Sequence, residues 1–474
     1  MQSELLFFPW NQDCSSLENH NAVVCLVRPF HAANFHSSKL RDAVLIIQIK
    51  SYAGHRRNER LSHRGSNWRK IRLTVPIEKV IRIIPSVETH LEFLRGLERR
   101  NDMEIDFWKE PSHIHQPVDI LISDKDFSTL SSLLKSDGIE FKVHINDVQK
   151  LIKRGLEPVQ TRRDGSFHSR YHNLAEIHSK LYEIQNIYGS MASIEYLGRS
   201  HEGKNMLAIK ITGARRYNKP AFFIQCGIHA REWVSPATCM FIIDQMTQGY
   251  RNSFSVKTLL DKMDFIILPV LNVDGYEYTW KGSDRRYRLW RKNRRYHYGR
   301  RCYGVDLNRN WGYYWGGSGA SARHCDSTYR GSGAFSEVET KNVRDYLEGL
   351  NRGGRLKGFI DFHAYSQMWF IPWGYTSKNS PDHNEQLRVA KKAAEAIYRK
   401  HGTRFQYGSS AYLLYAASGG SEDWTYGILG VKYSFSVELR DTGRYGFLLP
   451  PEQIIPTGEE TFEGLKALVD AMKV

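Results

Sequence analysis

The sequence predicts an α/β protein: a large domain with a mixed central β-sheet flanked by helices, preceded by a small ferredoxin-like α+β unit. Three observations predict it. From about residue 169 to the end, apolar strand-like runs alternate with amphipathic helical runs, with no internal repeat. Over residues 79–155 the order is strand, helix, strand, strand, helix, strand. The chain has 474 residues, 41% of them hydrophobic, enough for one large core and a smaller one.

Residues 1–78 stay unassigned. Only Ala43-Val44-Leu45-Ile46-Ile47-Gln48-Ile49 reads as a strand there, between basic and polar neighbours. The start, Met1-Gln2-Ser3-Glu4-Leu5-Leu6-Phe7-Phe8-Pro9-Trp10, lacks a basic n-region and its apolar core is broken at once, which makes a poor signal peptide. From Lys79 the pattern sharpens. Strands are predicted at 80–84, 105–108, 118–122 and 141–145, and helices at 88–98, with Leu91, Leu94 and Leu97 on one side, and at 127–134. Residues 148–156 are helical and lead out. Residues 156–168 read as a polar linker, either an ordinary one or one in which the paired Arg162 and Arg163 offer a trypsin-like protease a cleavage site. Within 169–474, Leu174, Ile177, Leu181 and Ile184 mark an amphipathic helix. Strands follow at 221–225, 265–270, 359–362 and 432–437. Ser235-Pro236-Ala237 starts a helix with proline in its first turn, and Met240, Phe241, Ile243 and Met246 give its core face.

The net charge is +16, much of it in two runs, 56–72 and 285–301. Such runs read first as solvated loops; a sulfated glycan is the partner they would otherwise suit. There is no zinc-finger spacing or other nucleic-acid module, so nucleic acid is not an expected partner. No apolar run is long enough to span a membrane. Spacing cannot pair the six cysteines, Cys14, Cys25, Cys226, Cys239, Cys302 and Cys325. Cys226, in a buried strand, and Cys239, on a helix face, read as core thiols. Cys302 and Cys325 flank a Gly- and Ser-rich loop, a better place for a disulfide in an oxidising compartment.

The richest chemistry lies in Cys226-Gly227-Ile228-His229-Ala230-Arg231-Glu232-Trp233. It follows a buried strand, where open α/β sheets place their sites. His-x-x-Glu fits two ligands of one metal, although alone it is more often a surface histidine and a solvated glutamate. A catalytic zinc wants three protein ligands and a position left for water. His363, at the end of another buried strand, is the natural third, although alone it is more often a core histidine than a ligand. Glu438 also ends an apolar strand, a costly place for a carboxylate unless it is paired or put to use; Arg440 is its candidate structural partner. Asp306-Leu307-Asn308-Arg309-Asn310-Trp311 reads by itself as a capped turn.

Together these segments resemble the funnelin metallocarboxypeptidases, the carboxypeptidase A and B family. The resemblance runs from about Lys79 to the C-terminus. It rests on Gly227-Ile228-His229-Ala230-Arg231-Glu232-Trp233, Leu289-Trp290-Arg291-Lys292, Gly304-Val305-Asp306-Leu307-Asn308-Arg309-Asn310-Trp311, Ser418-Gly419-Gly420-Ser421 and Glu438-Leu439-Arg440-Asp441-Thr442-Gly443. It implies one Zn2+ held by His229, Glu232 and His363, the set for which carboxypeptidase A is itself a standard example. Asp306 resembles the carboxylate that orients His229. Glu438 resembles the general base that takes a proton from the attacking water, and Arg291 the cation that stabilises the oxyanion. Asn308, Arg309 and Tyr415 resemble the clamp on the substrate's C-terminal carboxylate, for which a planar guanidinium fork is suited. Arg231, Tyr365 and Phe447 resemble residues lining the next subsite inward. Cys302 and Cys325 match the family's disulfide.

The resemblance divides the chain into an unassigned extension (1–78), an activation prosegment (79–155), a linker with the cleavage site (156–168) and the catalytic domain (169–474). It implies a zymogen activated by a trypsin-like protease, secreted from the cell, acting on peptide and protein C-termini. Glu422 holds the pocket-floor position, apolar in A-type relatives and aspartate in B-type ones. An unpaired carboxylate in a closed pocket calls for a cation, and Gly374, Ser410 and Ser436 leave room for a long side chain. C-terminal Lys or Arg is therefore the expected preference. The competing readings are an A-type preference for apolar or aromatic ends, if Glu422 turns aside, and a non-catalytic peptide- or glycan-binding protein.

Overall fold

The structure, a computed structural model, describes residues 13–16, 22–26, 48–51, 77–98, 100, 102–157, 166–213, 219–299 and 302–474. The chain divides into two units, 1–76 and 77–474. The first contains β1 (Asp13–Ser16), β2 (Ala22–Leu26) and β3 (Gln48–Ser51), an antiparallel sheet in that order. The strand expected at 43–49 meets β3 only in its last two residues. Residues 43–47, the basic run 56–72, Arg162 and Arg163 lie outside the described residues.

The second unit begins with β4 (Glu78–Ile83), β5 (Ile105–Lys109), β6 (Val118–Ser123) and β7 (Phe141–Ile145), an antiparallel sheet ordered β5-β6-β4-β7. Helices Glu88–Leu97 and Asp124–Ser136 complete the strand-helix-strand-strand-helix-strand pattern. The second helix starts three residues earlier than its apolar spacing suggests, because Ser123 caps it by accepting from the Asp126 N–H. Alternation divides the sheet's side chains between two cores. Ile81, Ile83, Ile120 and Ile122 pack with Leu94, Leu97, Leu130 and Leu134 in a core of their own. Val80 and Leu121, one residue out of phase, join the main core together with Ile145. Burial on both faces explains why these strands are nearly unbroken apolar runs.

The large domain is built on an eight-stranded sheet ordered β14-β13-β15-β12-β10-β11-β9-β8. Its strands are β8 (Ala192–Arg199), β9 (Asn205–Ile211), β10 (Ala221–Cys226), β11 (Asp264–Leu268), β12 (Leu356–His363), β13 (Met368–Ile371), β14 (Gln406–Ser409) and β15 (Tyr433–Glu438). The stretch β15-β12-β10-β11 is parallel; β9 and β8 at one end, and the β13–β15 pairing, are antiparallel. Helices Leu174–Tyr188, Val234–Gly249, His383–His401 and Ile454–Ala471 flank it. The first buries Leu174, Ile177, Leu181 and Ile184 and begins in a capping box between Asn173 and Glu176.

Cys226 and Cys239 are not the free core thiols expected. They form a disulfide, with their Cα atoms 6.4 Å apart. Helix Val234–Gly249 packs against β10, and that tertiary register, invisible in either segment alone, brings the two together. Cys302 and Cys325 form a second disulfide, Cα–Cα 5.1 Å. Replacing Cys226 and Cys239 together by alanine is expected to cost about 2–4 kcal/mol of stability, as for short closed loops in general. An unfolding midpoint equal to the parent's would contradict this.

Candidate active site

The parallel strands β10, β12 and β15 end on one edge of the sheet, where α/β proteins gather functional side chains. After β10 the chain turns at Gly227, φ 64°, where a Cβ would stand 3.1 Å from the Pro236 ring. Ser235 Oγ accepts from the Gly227 N–H (3.0 Å) and donates to the Phe362 carbonyl (2.5 Å), which ties the loop to β12. On the other side, β12 and β15 pair with His363 beside Glu438.

This places His229, Glu232 and His363 around one point, with their ligand atoms within 4.8 Å of one another. His229 Nδ1 lies 2.9 Å from Glu232 Oε1 and 3.1 Å from His363 Nδ1, which is 3.2 Å from Glu232 Oε2. All three residues are buried. Two imidazole nitrogens facing each other beside a carboxylate fit a divalent ion with N,N,O protein ligands. The outer nitrogens fit the same use. His229 Nε2 is 3.1 Å from Asp306 Oδ1, and His363 Nε2 is 3.1 Å from Asp361 Oδ2. A proton on Nε2 leaves Nδ1 free as a ligand. Burial alone would raise the Glu232 carboxyl, but the neighbouring His229 and His363 hold it far below the usual range.

Asp306 serves two ends. Its Oδ1 also accepts from the Asn308 N–H (2.9 Å), so the predicted capped turn exists, as a 3-10 turn over Leu307–Arg309. Its Oδ2 takes Arg291 Nη2 at 2.9 Å. Arg291 Nη1 reaches to 3.8 Å from Glu232 Oε1, beside the metal ligands. Arg309 Nη2 donates to Tyr415 Oη (3.2 Å), and its Nε to the Gly319 carbonyl (2.8 Å). Asn308 Oδ1 accepts from the Ser421 N–H at 3.0 Å. Glu438 has one carboxylate oxygen with no hydrogen-bond partner among the described residues. Burial pushes its carboxyl up to about 8, against the pull of His363, Arg291 and Lys109. The expected Glu438–Arg440 pairing does not form. Beyond β15, Arg440 faces helix Ile454–Ala471 and binds Glu460 at 2.7 Å and Gln453 at 2.7 Å.

Glu422 lines the cavity in front of these groups, with Ser410, Ala417, Gly420 and Ser436. It does not turn aside. Its Oε2 is buried without a hydrogen-bond partner among the described residues, and a Cβ on Gly374 would be 3.1 Å from its Oε1. Burial raises its carboxyl, and the Asp361 charge adds to the effect.

Comparison with known proteins agrees with this geometry. Residues 177–464 match the family model described as zinc carboxypeptidase, and residues 81–155 the model described as carboxypeptidase activation peptide. Carboxypeptidase A2 of Rattus norvegicus is 39% identical over 402 residues, covering 84% of this chain and 94% of that one. Carboxypeptidase B of Homo sapiens is 38% identical over 393 residues, covering 82% and 92%. The crystal structure of thrombin activatable fibrinolysis inhibitor superposes with a TM-score of 0.77 at 35% identity, covering 84% of this chain and 100% of that one. The chain belongs to the zinc carboxypeptidase family.

In this zinc carboxypeptidase the activation peptide lies over the site. Phe107, Trp108, Lys109 and Glu110 line the same cavity as the metal cluster. Its volume is only about 100 Å3, well below the few hundred that ligand pockets commonly offer. Asp106 binds Arg231 Nη1 at 3.0 Å, and Asp119 accepts from Tyr365 Oη at 2.7 Å while Arg82 grips its other side at 2.6 Å. Trp108 packs on Phe447, ring centroids 5.2 Å apart, over Gly446, where a Cβ would come within 2.9 Å of the indole. Thus Arg231, Tyr365 and Phe447, the three residues expected at the inward subsite, are all engaged by the activation peptide.

In its described part, 285–299, the second basic run is largely engaged by partners rather than solvated. Arg285 pairs with Glu78, at the start of β4, and with Glu104 of the activation peptide, both at 2.5 Å. Arg288 donates to the Arg231 and Phe447 carbonyls at 2.7 Å each, and Arg295 pairs with Glu337 at 2.7 Å. Arg294 stacks on Tyr278, 3.6 Å from the ring centroid. Charge density in sequence gave no hint of these partners, which lie far along the chain. Reading the sequence also missed Asp106, Asp119 and Asp361. Only Asp361 had a usable signal: strand alternation puts it on the same face as His363.

Proposed function

We propose that this zinc carboxypeptidase is a secreted zymogen whose active form removes C-terminal Lys or Arg from peptides and proteins. The observation that carries the specificity is the buried Glu422 oxygen that faces the cavity with no hydrogen-bond partner among the described residues. Such a group is costly unless a cation meets it.

His229 and His363, each through Nδ1, and Glu232 would hold the zinc. When bound, zinc supplies Lewis acidity to the scissile carbonyl and the attacking water. Arg309, Asn308 and Tyr415 take the terminal carboxylate, which restricts attack to the last amide. Burial keeps the Tyr415 phenol protonated and able to donate. Arg231, Tyr365 and Phe447 receive the preceding residue once the activation peptide leaves. Glu438 accepts a proton from water as its oxygen adds to the carbonyl carbon. It then delivers that proton to the departing amine as the C–N bond breaks. Arg291 steadies the charge gathered on the carbonyl oxygen. Cleavage near Arg162 or Arg163 releases the cover.

The test compares peptides ending in Arg, Phe and Glu, before and after trypsin, with and without a chelator. Turnover is expected only after trypsin and only without chelator, with Arg ahead of Phe and Glu. A preference for Phe would support the A-type reading. Full activity before trypsin would refute the zymogen, and activity in excess chelator would refute the metal.

A further inference from the structure

We propose that Asp361 is the positioning residue of His363, as Asp306 is of His229, so that each imidazole of the metal cluster is backed by its own carboxylate. The inference rests on the reading of His229, Glu232 and His363 as the metal site. Its ground is a closed accounting of donors and acceptors around His363 Nε2. Asp361 and His363 are two residues apart on β12 and share a face. Asp361 is fully buried, and its Oδ2 lies 3.1 Å from His363 Nε2. Among the described residues the other hydrogen-bond contact of that nitrogen, the Asn308 amide Nδ2 at 3.5 Å, is a donor, because the Asn308 oxygen is occupied by the Ser421 N–H at 3.0 Å. A donor cannot receive the Nε2 proton, so the acceptor is Asp361.

Ser421 Oγ donates to the same Asp361 oxygen at 2.7 Å. One carboxylate thus holds the ring of a metal ligand and the first turn of the helix that carries Glu422, Ser421–Gly427. The carboxylate fixes the ring's angle and its tautomer together, and keeps the Nδ1 lone pair aimed at Glu232 and His229. Without it, a buried Nε2–H would have no acceptor among the described residues, and the ring would be free to turn or to move its proton to Nδ1.

The test measures the zinc dissociation constant of the full chain by competition with a chromophoric chelator. Asp361→Ala is expected to weaken zinc binding about 10–100-fold, alongside Asp306→Ala as the comparison. Asp361→Asn keeps an acceptor oxygen and should lose less. If Asp306→Ala weakens binding and Asp361→Ala does not, the inference is overturned while the metal site stands. If His229→Ala and His363→Ala also leave the constant unchanged, the metal reading fails and takes the inference with it. A purely structural role predicts a lower unfolding temperature of the metal-free protein with an unaltered zinc constant; that result too overturns it. Should the alanine variant not fold, Asp361→Asn decides: weaker zinc binding supports the inference, and parental binding overturns it.

Discussion

Glu438→Gln is expected to lower kcat of the trypsin-activated enzyme by about 10²–10⁴-fold, the usual contribution of a positioned general base. The amide has nearly the volume of the acid, so packing at the end of β15 should survive. The metal cluster does not include Glu438, so zinc should remain bound. KM should change little, since the proposed carboxylate clamp and pocket floor are built from other residues. The discriminating measurement is kcat against zinc content on the same sample. A variant that keeps its zinc and its kcat would show that Glu438 moves no proton, and a binding protein would not notice the change. Full zinc with lost turnover is the expected pair.

Glu422→Ile should reverse the order of substrates. On the proposed specificity, a C-terminal guanidinium or ammonium meets a carboxylate shielded from water in the parent. Removing one partner of such a pair commonly costs about 2–5 kcal/mol, roughly 30- to several-thousand-fold in kcat/KM for a peptide ending in Arg. A peptide ending in Phe or Leu should gain, because an apolar side chain no longer has to cover a buried charge. The quantity to measure is the ratio of kcat/KM for Arg over Phe in each protein. An unchanged ratio would mean that the pocket selects on something other than this acid.

Much of the fold was legible because its strands are buried on both faces. The main-sheet strands β10, β12 and β15, and β4 and β6 of the activation peptide, appear as apolar runs that no tertiary detail can disguise. The metal cluster was legible because His229 and Glu232 share a short loop and His363 closes a strand. What stayed hidden depends on registers between distant segments. The Cys226–Cys239 bond needs the packing of a helix on a strand. The Arg440–Glu460 pair needs the course of the chain after β15. The partners of the second basic run, Glu78, Glu104 and Glu337, lie 42 or more residues away from the arginines they hold; the closest of them in sequence is Arg295 with Glu337. Asp106 and Asp119 look like ordinary polar residues in a small sandwich until a second domain stands opposite them.

The pairing of His363 with Glu438 on adjacent parallel strands has a consequence for how the enzyme is switched on. Neighbouring strands sit about 4.8 Å apart, a spacing dictated by backbone amides rather than by loops. The backbone spacing of His363 and Glu438, the proposed ligand and proton acceptor, is therefore built into the scaffold before any cleavage happens. On the proposed zymogen reading, activation then has nothing to assemble and only to unveil, and its speed should follow departure of the lid rather than rearrangement beneath it.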